Sequence, residues 1–122
     1  MIESLQYLTA IRPYICQAAS VCAQYQVKPK ISHMTAVRKI LKYVNATTNL
    51  GLYYIKDTTG SLMGYCTADW AGSLEDGRST NGGCFFIGNN MVSWHNKKQN
   101  DLALSTPEAE LIALESCCTQ LM

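Results

Sequence analysis

Hydrophobic positions follow a helical period in the first part of the chain and a strand period after it. Leu5 and Leu8 open a short helix expected to stop near Arg12-Pro13. Pro13 suits the first turn of a second helix, because a helix's first residues need no intrahelical N–H partner. Ile15, Ala18, Ala19 and Cys22 then recur at i, i+3, i+4 and i+7, one face of that helix. Lys28-Pro29-Lys30 ends it, since the residue before a proline is driven out of the helical region. Ser32 is the expected N-cap of a third helix. Val37, Ile40, Leu41 and Val44 form its apolar stripe, with Arg38, Lys39 and Lys42 off it. This helix should fade within Asn45-Ala46-Thr47-Thr48-Asn49, and a boundary is expected between Asn45 and Gly51.

From there the period shortens. Gly51-Leu52-Tyr53-Tyr54-Ile55 predicts a short strand, closed by the turn-forming Lys56-Asp57-Thr58-Thr59-Gly60. A second strand is predicted over Leu62–Asp69, a loop over Gly72–Gly77 and a third strand over Gly83–Ile87. Gly88-Asn89-Asn90 predicts a tight hairpin into Met91-Val92-Ser93-Trp94. Leu102-Ala103-Leu104 is a further strand candidate. Ser105-Thr106-Pro107-Glu108 has the capping-box spacing and early proline of a helix start. The helix that follows is apolar on most sides, through Leu111, Ile112, Leu114, Cys117, Cys118 and Leu121, and expects cover on most sides. The predicted class is α+β: N-terminal helices over 1–48, then 49–122 with an antiparallel sheet of three or four strands and a C-terminal helix.

At 122 residues the length allows one compact domain's worth of core. The formal net charge of +1 conceals an asymmetry. Seven Lys and Arg stand against Glu3 in residues 1–56, whereas Arg78, Lys97 and Lys98 stand against eight acids in residues 57–122. A basic half beside an acidic half suits a protein that holds a phosphate backbone with one part and metal ions with the other, but from charge alone two ordinary solvated faces are the better explanation. The six cysteines form no Cys-x-x-Cys pair, and neither His33 nor His95 has ligand spacing to a cysteine pair, which argues against zinc. No secretory leader opens the chain and no apolar run reaches membrane-spanning length. The expectation is reduced thiols that pack as small core hydrophobes, no membrane partner, and an intracellular location, cytoplasmic or nuclear.

Two stretches carry chemistry. Gly64-Tyr65-Cys66-Thr67-Ala68-Asp69-Trp70-Ala71-Gly72 and Ser105-Thr106-Pro107-Glu108-Ala109-Glu110-Leu111-Ile112-Ala113 resemble the ribonuclease H region of Ty1/copia-type retrotransposon polyproteins. The resemblance spans the chain. Ser4–Pro13 is similar to the segment after the reverse-transcriptase palm, and His33–Tyr43 to the helix that connects it to the ribonuclease H part. Gly51-Leu52-Tyr53-Tyr54 resembles the strand that leads into that part. Arg78-Ser79-Thr80-Asn81-Gly82 matches Lys/Arg-Ser-Thr-Ser-Gly except at Asn81, and Ser93-Trp94-His95-Asn96-Lys97-Lys98-Gln99 matches Ser-Trp-x-Ser-Lys-Lys-Gln except at Asn96.

The resemblance implies a truncated ribonuclease H-like fold, and an enzyme class that cuts the RNA strand of RNA/DNA hybrids. Such cleavage uses clustered carboxylates to hold two Mg²⁺ ions about 3.5–4 Å apart. Mg²⁺ prefers hard oxygen ligands, hence Asp and Glu. The family's first catalytic acid falls at Thr67, a neutral hydroxyl. Its second falls at Glu110. The acid that follows the helix in the family would lie beyond Met122. Asp69, two residues from Thr67 and on the same strand face, is a further candidate ligand beside Glu110.

These departures lead to the expectation of a catalytically degenerate, retrotransposon-derived protein, a pseudoenzyme. Its role would be binding: to a host protein or to itself through an uncovered sheet edge and the C-terminal helix, or weakly to nucleic acid. The alternative is a metal-dependent ribonuclease H. No cofactor is expected, and Mg²⁺ is the ion any residual activity would need. Arg38, Lys39, Lys42, Arg78, Ser79, Lys97 and Lys98 are the candidate nucleic-acid contacts, against a solvated helix face for the first three and turn-building for Ser79. Glu110 is read as a vestigial metal ligand rather than a solvated edge residue. Trp70 and Trp94 read as packing residues before base-stacking ones, and His95 as a surface residue.

Overall fold

Leu5 is 1% exposed at the centre of a helical core that also buries Ile15, Ala19, Cys22, Val37 and Ile40. The computed structural model describes residues 1–56 and 59–122, and divides the chain into two compact units, Met1–Leu52 and Tyr53–Met122. The first unit is helical. Helix α1 spans Ile2–Leu8, a 3₁₀ turn over Pro13–Ile15 leads into α2, Cys16–Gln24, and α3 spans Ile31–Ala46. The unit is closed at one end by Arg12, whose Nη1 donates to the Thr47 carbonyl at 2.9 Å.

Three helical details differ from the pattern. Ala18 and Leu41 are exposed, while Ala36 joins the expected Val44 in packing against the core. The buried stripe of α3 is therefore Ala36, Val37, Ile40 and Val44, and Leu41 lies about 40° past its edge at Val37. Ser32 is not the N-cap. The helix starts at Ile31 with Lys30 as its N-cap, and His33 Nδ1 accepts the Lys30 N–H at 3.0 Å. A side chain three residues into the helix thus satisfies the flanking amide, the reciprocal half of a capping box.

The second unit holds a three-stranded antiparallel sheet in the order β1-β2-β3, with β1 at Leu62–Asp69, β2 at Thr80–Ile87 and β3 at Asn90–Lys98. The fold class is α+β. Gly64 pairs with Phe85, Thr67 with Gly82, and Cys84 with Trp94. The segment 51–55 does not form a strand. Instead Asn90 uses its side-chain amide as a substitute ladder, accepting the Ile55 N–H at 2.7 Å and donating to the Ile55 carbonyl at 2.8 Å. Of the expected turn at 56–60, Asp57 and Thr58 lie outside the described residues. The β2 strand starts earlier than Gly83, and β3 runs on past Trp94 to Lys98. Gly82 and Gly83 sit within the ladder rather than before it. Gly83 leaves the space that the His95 ring occupies, so the missing side chain serves packing and not a turn. Gly88 takes φ 60° in the two-residue turn between β2 and β3, where a side chain would be strained.

Leu102–Leu104 forms no strand; it is a loop pinned by Ala103, which is buried and accepts the Trp70 Nε1–H at 3.0 Å. Helix α4 spans Thr106–Leu121 with Ser105 as N-cap, its Oγ accepting the Glu108 N–H at 3.3 Å. Glu108 Oε2 in turn accepts the Leu104 N–H at 2.7 Å. The expected broad cover over α4 is not made. Its buried residues are Ala109, Ala113 and Cys117, while Leu111 and Leu114 are 65% and 50% exposed. Small residues at i, i+4 and i+8 let the helix lie close on the sheet, and Gly64 permits the closest approach: a Cβ there would stand 2.8 Å from Cys117 Sγ.

Candidate functional site

Strand alternation puts Gly64, Cys66 and Ala68 on the α4 side of β1, and Tyr65, Thr67 and Asp69 on the other. Thr67 nevertheless meets α4. β1 is an outer strand of the described sheet, and Glu110, half-buried in the second turn of α4, comes to it at that edge. Thr67 Oγ1 lies 3.5 Å from Glu110 Oε1, with the hydroxyl donating. The fold thus brings together two of the three candidate residues. Asp69 is not added to them. Its carboxylate folds back over Gly72, whose missing side chain makes the room, and its carbonyl accepts the Gly72 N–H at 3.3 Å. Asp101 is exposed in the loop after β3.

This donor set does not fit a pair of Mg²⁺ ions. It offers one carboxylate and one neutral hydroxyl where two hard cations need several anionic oxygens to offset their desolvation. Among the described residues no group of three or more His, Cys, Asp or Glu side chains gathers at metal-binding range.

The candidate phosphate contacts divide. Arg38, Lys39 and Lys42 are exposed on α3 of the first unit, and Lys97 is exposed on β3. Arg78 and Lys98 both turn to Asp76, at 3.9 Å and 2.6 Å. The Lys98 hydrogen bond, then that of Ser73, holds the Asp76 carboxyl well below the usual aspartate range, with the Arg78 N–H adding to it. Ser79 is fully buried. Its hydroxyl accepts the Ala71 N–H at 3.1 Å and its carbonyl accepts the Gln99 N–H at 2.8 Å. Its position leaves no surface for a nucleic-acid backbone, and its part is to hold Ala71 in a left-handed turn at φ 52°.

Two other motif residues are interior. Asn81 and Gln99 are 6% and 4% exposed, and Gln99 Nε2 donates to Asn81 Oδ1 and to the Ala109 carbonyl. No apolar period marks them. Strand parity is the one signal: Asn81, Gly83 and Phe85 share a face in β2, and His95 and Lys97 lie opposite Gly83 and Asn81 in β3. His95 is half-buried over Gly83 with its ring stacked on Phe85 at 5.9 Å, so it is a packing residue rather than a surface one. Trp94 is also half-buried.

The chain is 40% identical over 110 residues to the Retrovirus-related Pol polyprotein from transposon RE1 of Arabidopsis thaliana, an overlap of 90% of this chain and 8% of that protein. The corresponding RE2 polyprotein is 36% identical over 121 residues, 99% of this chain and 8% of its own length. A shorter relative, Secreted RxLR effector protein 161 of Plasmopara viticola, is 38% identical over 114 residues, and these cover 93% of this chain and 80% of that protein. The chain belongs to the copia-type retrotransposon Pol polyprotein family. It spans 8% of the length of each of these polyproteins and 80% of that of the effector protein. No family model matches it, and no solved structure does. As a copia-type Pol segment, the chain carries the Thr67–Glu110 contact where the family resemblance expects an acidic pair. Among the described residues no helix is long and apolar enough to cross a membrane.

Proposed function

We propose that this retrotransposon-derived chain is a catalytically degenerate ribonuclease H-like segment that acts by binding rather than by cleavage. The observation that carries the reading is the Thr67 hydroxyl 3.5 Å from Glu110. The two positions meet, but one of them has lost its charge, and a hydroxyl cannot bridge two Mg²⁺ ions as a carboxylate does. In support, the side chain that meets Glu110 at this edge is a neutral hydroxyl, at the long end of hydrogen-bond range, and not a second carboxylate.

The test is hydrolysis of an RNA/DNA hybrid with Mg²⁺ or Mn²⁺ at high protein concentration. No cleavage is expected. Metal-dependent cleavage that disappears in Glu110→Ala would establish the opposite reading, an active ribonuclease H.

The binding role rests on exposed apolar surface in the second unit: Met63 and Tyr65 on β1, and Leu111 and Leu114 on α4, are each 45% exposed or more. Surface of this kind favours self-association or a protein partner. Sedimentation is expected to show oligomers at micromolar concentration that Leu111→Glu weakens. Arg38, Lys39 and Lys42, exposed on α3, are suited to weak, salt-sensitive contact with phosphates.

A further inference from the structure

Among the described residues none of the six cysteines is in a disulfide, and two of them, Cys66 and Cys117, lie on the interface between β1 and α4. Cys117 is 3% exposed on the buried stripe of α4. Its Sγ lies against β1 in the space left by Gly64, where a Cβ would stand only 2.8 Å away. Cys66 is two residues further along β1 on that same face, the face against which Cys117 packs, and its thiol is a near neighbour that adds to the raised pKa of Cys117. The other cysteines are placed differently. Cys84 alternates onto the opposite face, paired with Tyr65; Cys118 is exposed; Cys16 and Cys22 belong to the helical unit.

We propose that Cys66 and Cys117 form a reversible disulfide that fastens α4 to β1 when the chain meets an oxidised low-molecular-weight thiol. The half-buried Cys66, as thiolate, attacks one sulfur of glutathione disulfide and releases one glutathione thiolate. Cys117, as thiolate, then attacks the Cys66 sulfur of the mixed disulfide and releases the second glutathione. The protein loses two protons and two electrons, and one oxidised glutathione becomes two reduced ones. Burial, then the neighbouring Cys66, pushes the Cys117 thiol up, so its thiolate is scarce and the second step is the slow one. The internal bond therefore closes slowly and needs a sustained excess of glutathione disulfide. The bond would sit beside Thr67 and two helical turns below Glu110, and it would hold in place the edge at which those residues meet.

The experiment incubates the full chain with glutathione disulfide, blocks the remaining thiols by alkylation, and maps the cross-linked peptides. A Cys66–Cys117 peptide is expected as the dominant disulfide, with the Tm raised by roughly 10 °C and restored by a dithiol reductant. Cys118→Ser should leave both results unchanged, and Cys66→Ser should abolish both. Gly64→Ala keeps every thiol but crowds Cys117 away from β1, so bond formation should slow several-fold in protein that retains its native circular dichroism. Glutathione adducts on Cys66 or Cys118 without the internal bond, dimers linked through Cys118 as the main product, or a wild-type rate in Gly64→Ala would each overturn the proposal.

Discussion

Gln99, directly after β3, donates from one side-chain amide nitrogen to Asn81 Oδ1 in β2 and to the Ala109 carbonyl in α4. Asn81 lies in the stretch Arg78–Gly82 and Gln99 in the stretch Ser93–Gln99, both of which also hold candidate phosphate contacts. The two side chains form an interior polar plug that joins two strands to the helix. The plug has one orphan: Gln99 Oε1 is buried with no partner. Its amide is thus held by its donors alone, and its removal leaves two acceptors to be satisfied.

Gln99→Leu should cost about 1–3 kcal/mol, since it strips the donor from buried Asn81 Oδ1 and from the Ala109 carbonyl. Chemical denaturation of the two proteins measures it. In a double-mutant cycle with Asn81→Leu the losses should fall well short of additive, because the second substitution removes the group that the first leaves unpaired.

Thr67→Asp should not yield a ribonuclease. The new carboxylate would stand within reach of Glu110, where two like charges oppose each other's ionisation. Such a pair suffices for weak capture of one Mg²⁺ but not for the two that hydrolysis requires. Calorimetry should register a single weak Mg²⁺ site in place of none, and a hybrid-cleavage assay should stay at background. Robust turnover would place the metal-binding acids elsewhere in the chain, with Asp69 and Asp101 the first to replace.

Asp76 orders the loop between β1 and β2 through Lys98, Ser73 and the Arg78 N–H. Its carboxyl sits below the ordinary value of 3.8 in the folded chain, so the sign is fixed: the contribution is full above that value and is lost as pH falls through the lowered one. Amide chemical shifts of residues 73–79, followed from neutral pH downward, should hold steady to below pH 3.8 and then collapse. In Asp76→Asn the same amides should resemble the acid form already at neutral pH, with little loss of global stability, because the group is solvent-exposed.

Ser105→Ala removes the acceptor for the Glu108 N–H at the start of α4. A loss of about 1 kcal/mol is expected by denaturation, as for other N-caps. Ser105→Asp should restore most of it, since the carboxylate accepts the same bond and faces the positive end of the helix.

Local rules were sufficient for much of this chain. The β1 strand runs over Leu62–Asp69 as its alternation predicts, Pro29 separates two helices, and Ser105 starts α4. Each follows from the conformational limits or hydrogen-bonding capacity of a residue and its immediate neighbours. The motifs, in order, also carried the family, which the relatives then showed. Tertiary structure decided the rest. Residues 51–55 have the composition of a strand, but the groups they found at Ile55 were those of the Asn90 side chain rather than a ladder. Leu111 and Leu114 are as apolar as any core residue, yet the close approach of α4 at Gly64 gave the interface to Ala109, Ala113 and Cys117. Ser79, Asn81 and Gln99 are polar and sit in turn- or surface-like sequence, and only the meeting of β2, β3 and α4 made them interior. A side chain's hydropathy states what it prefers. Which neighbours are present to satisfy it depends on contacts many residues away, as between Thr67 and Glu110, 43 positions apart.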